Sequence, residues 1–176
     1  MVAQLTDWQT PAQILEALAT VMDPEVPVLS VVELGVVRDV NVALDDDGAP
    51  HVHVALTPTY SGCPALKAMQ DAIEAKINEI GFERVTVTIV YAPAWTTDWM
   101  SDLARARLKS YGIAPPRPNC RACASADPFA EEDEVIPCPR CNSRQTTLQS
   151  LFGATSCKAL YTCDACKEPF EYFKAF

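Results

Sequence analysis

Four of the eight cysteines in this sequence stand in two matched pairs near the C-terminus. They read Cys138-Pro139-Arg140-Cys141 and Cys163-Asp164-Ala165-Cys166, with 21 residues between the pairs. A Cys-x-x-Cys turn aims two thiolates at one point. Two such knuckles, joined by a hairpin, make the tetrahedral four-sulfur site that zinc prefers. Pro139 stiffens the first turn. Four protein ligands leave no position for a substrate, so this zinc is predicted to hold up a fold and to do no chemistry.

Cys63 carries a different kind of chemistry. It stands in Thr57-Pro58-Thr59-Tyr60-Ser61-Gly62-Cys63-Pro64, between a predicted strand and a predicted helix. Pro64 suits the first helical position, which makes Cys63 the N-cap. There the exposed N–H groups and the positive end of the helix dipole favour a thiolate. Gly62 is expected to let the backbone turn tightly. Cys63 is thus either a metal-binding or nucleophilic thiol, or a small apolar core residue.

Asp23-Pro24-Glu25 opens a long loop that ends in Leu34-Gly35. Its two carboxylates can bind metal, serve as an acid–base pair, or cap a turn and meet solvent. His51 and His53 share one face of a strand, opposite Val52 and Val54. A His-x-His pair can hold a metal, but the pair is expected to line the solvent side of a half-buried sheet, with no carboxylate adjacent in the local sequence. Cys120-Arg121-Ala122-Cys123 is a third Cys-x-x-Cys. It can bind a second metal with Cys63 or Cys157, act as a redox dithiol, or be idle, although redox dithiols belong at helix starts in βαβ folds. Cys157, six residues before Cys163, can stand in as a ligand. Two complete pairs already satisfy the metal, which leaves Cys157 to pack beneath the site. The sequence contains no Gly-rich phosphate loop, no Gly-x-Ser-x-Gly and no His-Glu-x-x-His.

The elements that must position these residues follow from periodicity. Thr10 caps and Pro11 opens a helix to about Met22, with Ile14, Leu15 and Leu18 on one stripe. A loop runs from Asp23 to Gly35. Val36 to Leu44 and His51 to Thr57 alternate as strands about the turn Asp45-Asp46-Asp47-Gly48. Pro64 to Ile80 carries Leu66, Met69, Ile73, Ile77 and Ile80 at helical spacing, and Gly81 ends it. Val85, Val87, Ile89 and Tyr91 alternate as a third strand, and a helix is predicted from about Asp98 to Tyr111. Thr146–Leu151 and Lys158–Thr162 fit the arms of a hairpin joined through Phe152-Gly153-Ala154, and Phe170–Phe173 a further strand. The predicted fold is α+β: a small mixed three-stranded sheet with helices on one side, followed by a mostly β zinc ribbon. Ala114-Pro115-Pro116-Arg117-Pro118 reads as a stiff linker. The predicted division is an α+β domain over 1–112, a Pro-rich and acidic linker over 113–135, and a ribbon over 136–176.

Net charge is −9, from 23 acidic and 14 basic residues. That argues against wide nucleic-acid contact, which needs cationic side chains to displace counterions. Residues 1–112 hold 15 acids and 7 bases, and residues 113–176 hold 8 and 7. The acidity therefore lies mainly in the first part. The N-terminus shows no signal pattern and no apolar run is long enough to span a bilayer, so the chain is expected to be cytoplasmic, with its cysteines reduced.

Three stretches carry a resemblance to a known family. Asp23-Pro24-Glu25-Val26-Pro27-Val28-Leu29, Leu34-Gly35-Val36-Val37 and Thr57 to Ala65 resemble the iron–sulfur assembly domain shared by SufT and the cytosolic iron–sulfur targeting factors. Tyr91 to Met100, and Phe152 to Tyr161 running on to Cys163, Cys166 and Glu168-Pro169-Phe170, resemble one branch, the D subunits of bacterial phenylacetyl-CoA epoxidase systems. The resemblance covers nearly the whole chain. It implies an accessory maturation protein with no turnover of its own, acting in aerobic phenylacetate degradation. The implied partners are the oxygenase component with its di-iron centre, the reductase component with its flavin and iron–sulfur cluster, and the iron–sulfur assembly machinery. It also leaves two other roles open, a structural scaffold of the complex and a subunit completing the epoxidase active site. Within the resemblance, Cys63 matches the cysteine regarded as functional in handling iron or a cluster, and Asp23 and Glu25 match the acidic signature. Cys138, Cys141, Cys163 and Cys166 match the ribbon's zinc ligands. The Cys120–Cys123 pair lies outside the family pattern.

Overall fold

A computed structural model describes residues 10–116 and 135–176. The chain divides into two compact units, the first running to Trp95 and the second from Thr96 to Phe176. The Cys120–Cys123 pair lies outside the described residues.

The first unit begins with α1 (Pro11–Leu18). Thr10 and Gln13 close a reciprocal capping box at its start, which satisfies two otherwise orphaned amides. The helix stops at Leu18, a turn short of the predicted Met22, because Val21 and Met22 turn off to pair with the segment Ser30–Val31. Strands β1 (Val37–Leu44) and β2 (Pro50–Leu56) form an antiparallel hairpin. After α2 (Leu66–Glu79), β3 (Arg84–Ile89) returns parallel to β2, giving the order β1-β2-β3. This is the mixed three-stranded sheet that the sequence predicts. Val40, Val52, Val54 and Leu56 are buried on one face, while Asn41, His53, Thr86 and Thr88 are exposed on the other. The helices cover the buried face: Ile14 and Leu18 of α1, and Met69, Ile73 and Ile77 of α2, are wholly or almost wholly excluded from solvent. That alternation is what one-sided burial of a sheet requires.

The segment Asp23–Gly35 is wound into turns rather than laid over the surface. Val26, Leu29, Val31 and Leu34 are all buried. Ser30 and Glu33 bond reciprocally, the Ser30 amide to Glu33 Oε2 and the Glu33 amide to Ser30 Oγ, each at 3.1 Å. Trp95 Nε1 donates to the Leu34 carbonyl at 3.1 Å.

In the second unit the predicted helix from Asp98 is broken. A 3-10 turn covers Thr97–Trp99, Met100 is extended, and α3 (Asp102–Tyr111) starts afresh with Ser101 Oγ accepting from the Ala104 amide. Gly112 ends α3 at φ +100°, and Arg140 lies so close that a Cβ there would sit 3.1 Å from Nη2. Both the dihedral and the space call for glycine. Ile113–Ala114 forms β4, parallel to the last strand. These two residues are therefore ribbon structure rather than the start of a linker, because their buried side chains have a sheet to join. Strands β5 (Thr146–Ser150), β6 (Lys158–Cys163) and β7 (Pro169–Phe173) complete a sheet of order β4-β7-β6-β5. Among the described residues, one buried cluster on it joins Ala114, Ile136, Cys138, Ala159, Cys163, Phe170 and Tyr172.

Candidate metal centre

The two knuckles are built alike. In the first, the Asn142 amide donates to the Cys138 carbonyl at 2.9 Å, and the Cys138 amide to Ser143 O at 2.9 Å. In the second, the Lys167 amide donates to Cys163 O at 2.8 Å, and the Cys163 amide to Glu168 O at 3.0 Å. The residue after each second cysteine is left-handed, Asn142 at φ 60° and Lys167 at φ 64°. Asparagine tolerates that region; lysine adopts it at a cost, which the closed knuckle must offset. Asn142 is a recognisable signal in the sequence, whereas Lys167 gives none.

The antiparallel β6–β7 pairing and the β5–β6 hairpin bring the knuckles together. Cys138 Sγ lies 3.8 Å from Cys166 Sγ, and Cys141 Sγ 3.5 Å from Cys163 Sγ. All four sulfurs lie within 4.8 Å of one another. A tetrahedron with metal–sulfur bonds of about 2.3 Å has edges of about 3.8 Å, so the sulfurs fit a four-thiolate metal site. Cys138 and Cys163 are buried, and Cys141 and Cys166 face solvent. The Cys166 and Ala165 amides draw the Cys163 thiol down to about 6, so it is a thiolate at neutral pH. Cys166 behaves oppositely. Although the Glu168 amide pulls it down, Cys163 and burial push it up to about 12. Cys141 is also raised: the Ser143 amide lowers it, but burial and the Cys163 sulfur outweigh that. One negative charge on the metal-free cage thus disfavours the next, and binding a cation must expel the remaining protons.

Among the described residues, these four form the cluster of three or more Cys, His, Asp or Glu side chains whose ligand atoms converge. Cys63, Asp23 and Glu25 do not converge in this way. Asp23 is buried, and its Oδ1 accepts from the Glu25 amide at 2.7 Å and the Val26 amide at 2.8 Å. Its carboxylate shapes the loop from within. Glu25 is half-buried on the same turn.

Cys63 is half-buried but is not the N-cap. Helix α2 starts at Leu66, with Ala65 in the capping position and no side-chain cap. The chain first winds through turns, with the Cys63 amide donating to Tyr60 O at 3.2 Å and the Leu66 amide to Cys63 O at 3.3 Å. Pro64 sits in this lead-in turn, so Cys63 lies two residues before the capping position. Gly62 also differs from expectation: its φ is not left-handed, and a Cβ would meet only the Tyr60 ring at 3.6 Å.

Cys157 is buried, with its Sγ 3.0 Å from Thr155 Oγ1. It precedes β6, whereas Cys163 ends it, so six residues of extended chain put it about 20 Å from the cage. It packs at the far end of the strand, not beneath the metal. The histidines do face the open side of the sheet, but His51 has a carboxylate neighbour that the local sequence hides: its Nδ1 lies 3.2 Å from Asp45 Oδ1, across the hairpin. No described helix is long and apolar enough to cross a membrane.

Comparison with known proteins agrees with this two-part architecture. The family "Iron-sulfur cluster assembly protein" matches residues 11–89, and the family "PaaD zinc beta ribbon domain" matches residues 124–174. The chain is 46% identical over 162 residues to an Escherichia coli K12 protein assigned as the D component of 1,2-phenylacetyl-CoA epoxidase, covering 92% of this chain and 91% of that one. It is 34% identical over 101 residues to an Fe-S protein maturation auxiliary factor of Porphyromonas gingivalis, covering 57% of this chain and 91% of that one. A solved DUF59 domain from Bacillus anthracis is 26% identical, with 56% of this chain and 90% of that one covered at a TM-score of 0.48.

Proposed function

The chain belongs to the family of phenylacetyl-CoA epoxidase D components, and we propose that it is an accessory maturation factor of that epoxidase rather than a catalytic subunit. One observation carries the reading: the region matching iron–sulfur cluster assembly proteins, residues 11–89, is continuous in one chain with a ribbon of the epoxidase-component type. The cargo is iron or an iron–sulfur cluster, delivered to the reductase cluster or the oxygenase di-iron centre in the cytoplasm. The ribbon metal is zinc, held by Cys138, Cys141, Cys163 and Cys166. Its chemistry is to crosslink two knuckles, since four thiolates close its coordination.

Cys63 is the thiol assigned to the cargo. It is half-buried on a turn between β2 and α2, and loop residues at the ends of rigid elements are where handling groups sit. Asp23 contributes by fixing its own loop, which leaves Glu25 as the carboxylate offered to the cargo. Co-expression of the oxygenase and reductase with the Cys63→Ala chain tests this. Iron in one of the two partners should fall while the fold and ribbon metal stay intact. Normal iron in both partners would remove Cys63 from the handling role and move that role to Cys120–Cys123.

A further inference from the structure

The chain has two histidines, and the fold stacks them. His51 and His53 stand on the open face of β2, their ring centroids 4.1 Å apart at an interplanar angle of 27°. His51 is held at both nitrogens. Nδ1 lies 3.2 Å from Asp45 Oδ1, and Nε2 lies 2.8 Å from Thr86 Oγ1 on the neighbouring strand. Asp45 is held in turn, with its Oδ2 2.7 Å from Arg84 Nη1. Bonds from Arg84 and then His51 keep the Asp45 carboxyl below the ordinary carboxylate range, so it is charged at neutral pH. Arg84 is itself offset by Asp47, whose Oδ1 lies 2.9 Å from Nη1.

The spacing suits a hydrogen bond and a shared cation alike. Two donors each about 2.1 Å from one ion, at an angle near that of cis ligands, stand about 3.2 Å apart. With the proton on Nδ1 the contact is a hydrogen bond to Asp45; with Nε2–H donating to Thr86 instead, the Nδ1 lone pair faces the carboxylate, and a divalent cation can take the proton's place at the same separation. Thr86 and Arg84 then play the orienting part that ligating histidines and carboxylates require of their outer partners.

We propose that His51 Nδ1 and Asp45 Oδ1, joined by His53, form an exchangeable site for a first-row divalent cation that favours imidazole, such as Zn2+, Ni2+ or Cu2+. His53 lies over His51 and does not yet share the point. Its side chain is exposed, so a rotamer change can bring a ring nitrogen in, and water completes the shell. The site is separate from the ribbon and does not rest on the maturation role.

Because both histidines belong to this pair, histidine ring signals report on it alone. The test uses the untagged full chain with its ribbon loaded with zinc, and Ni2+ as the probe. Both sets of histidine ring-proton resonances should broaden together as Ni2+ approaches one equivalent. Calorimetry should then give one site of micromolar affinity that Mg2+ does not compete away. His53→Ala, and either His51→Ala or the milder His51→Gln, should each weaken Ni2+ binding at least tenfold, and Asp45→Asn several-fold. Unresponsive resonances would overturn the proposal. So would a response from one histidine alone, or Ni2+ binding undiminished in the histidine variants, which would place the ion on thiols.

Discussion

The two sheets of this chain face the same problem with different means. The sheet β1-β2-β3 has three strands and one buried face, and Ile14, Leu18, Met69, Ile73 and Ile77 of its helices are excluded from water above that face. The sheet β4-β7-β6-β5 has one more strand, and among the described residues a buried cluster on it includes two of the cage cysteines, Cys138 and Cys163. Burial of aliphatic side chains stabilises at roughly 25 cal/mol per Å2, so the first sheet can stand on its own core. The second adds four converging thiols, two buried and two exposed, that fit a metal. A strand count alone therefore says little about what holds a sheet together; the side chains between the layers decide it.

The contrast is easiest to break at the cage. Cys138→Ser or Cys166→Ser should abolish tight metal binding and unfold the ribbon. A structural zinc site supplies on the order of 10 kcal/mol or more. Hydrogen exchange should show protection lost over 136–173 and kept in α2 and β2. Retention of one tightly bound zinc by Cys138→Ser would contradict the assignment.

A core deletion should give the converse. Ile73→Ala or Leu56→Ala removes a wholly buried side chain and should cost about 2–5 kcal/mol in the first unit, measured by denaturant unfolding. A chelator should leave that cost unchanged while it melts the ribbon.

Acid offers a graded version. Metal loading must expel the protons held on Cys141 and Cys166, whose thiols are raised, while Cys163, at about 6, is already ionised at neutral pH. The logarithm of metal affinity should therefore rise with pH by at least about two per pH unit near neutrality. The slope should steepen below about 6, where Cys163 also takes up a proton. Competition with a chromophoric chelator across that range measures the slope, and the first unit should show no comparable change.

The smallest effect is expected at Gly112, where α3 meets the first knuckle. Gly112→Ala forces a side chain into the left-handed region and against Arg140, at a cost of about 1–2 kcal/mol to the second unit alone. Thermal unfolding with metal present would detect it.

Much of this was legible in the sequence because local signals agreed with the fold. Thr10-Pro11, the Asp45–Gly48 turn, the alternation of β2 and the helical spacing of α2 each name their element. The cage was legible from spacing alone, since a Cys-x-x-Cys knuckle is a local structure. What failed depended on contacts distant in sequence. Val26, Leu29, Val31 and Leu34 follow no regular period, so a buried, turn-rich segment reads as a loop. Ile113–Ala114 is too short to show a strand pattern and joins the sheet only because β7 offers an edge. The N-cap reading of Cys63 used the right preference for proline at a helix start, but the chain completes a turn before α2 begins. Asp45 pairs with His51 across a hairpin, six residues away, where local inspection finds no carboxylate.

A chain needed for assembly and not for turnover should be dispensable once its partners are fully loaded. Oxygenase and reductase carrying their full di-iron, flavin and iron–sulfur complements, mixed without this chain, should epoxidise phenylacetyl-CoA at the same rate as when it is present. An absolute requirement for the chain with fully loaded partners would contradict the account and make it part of the catalytic complex.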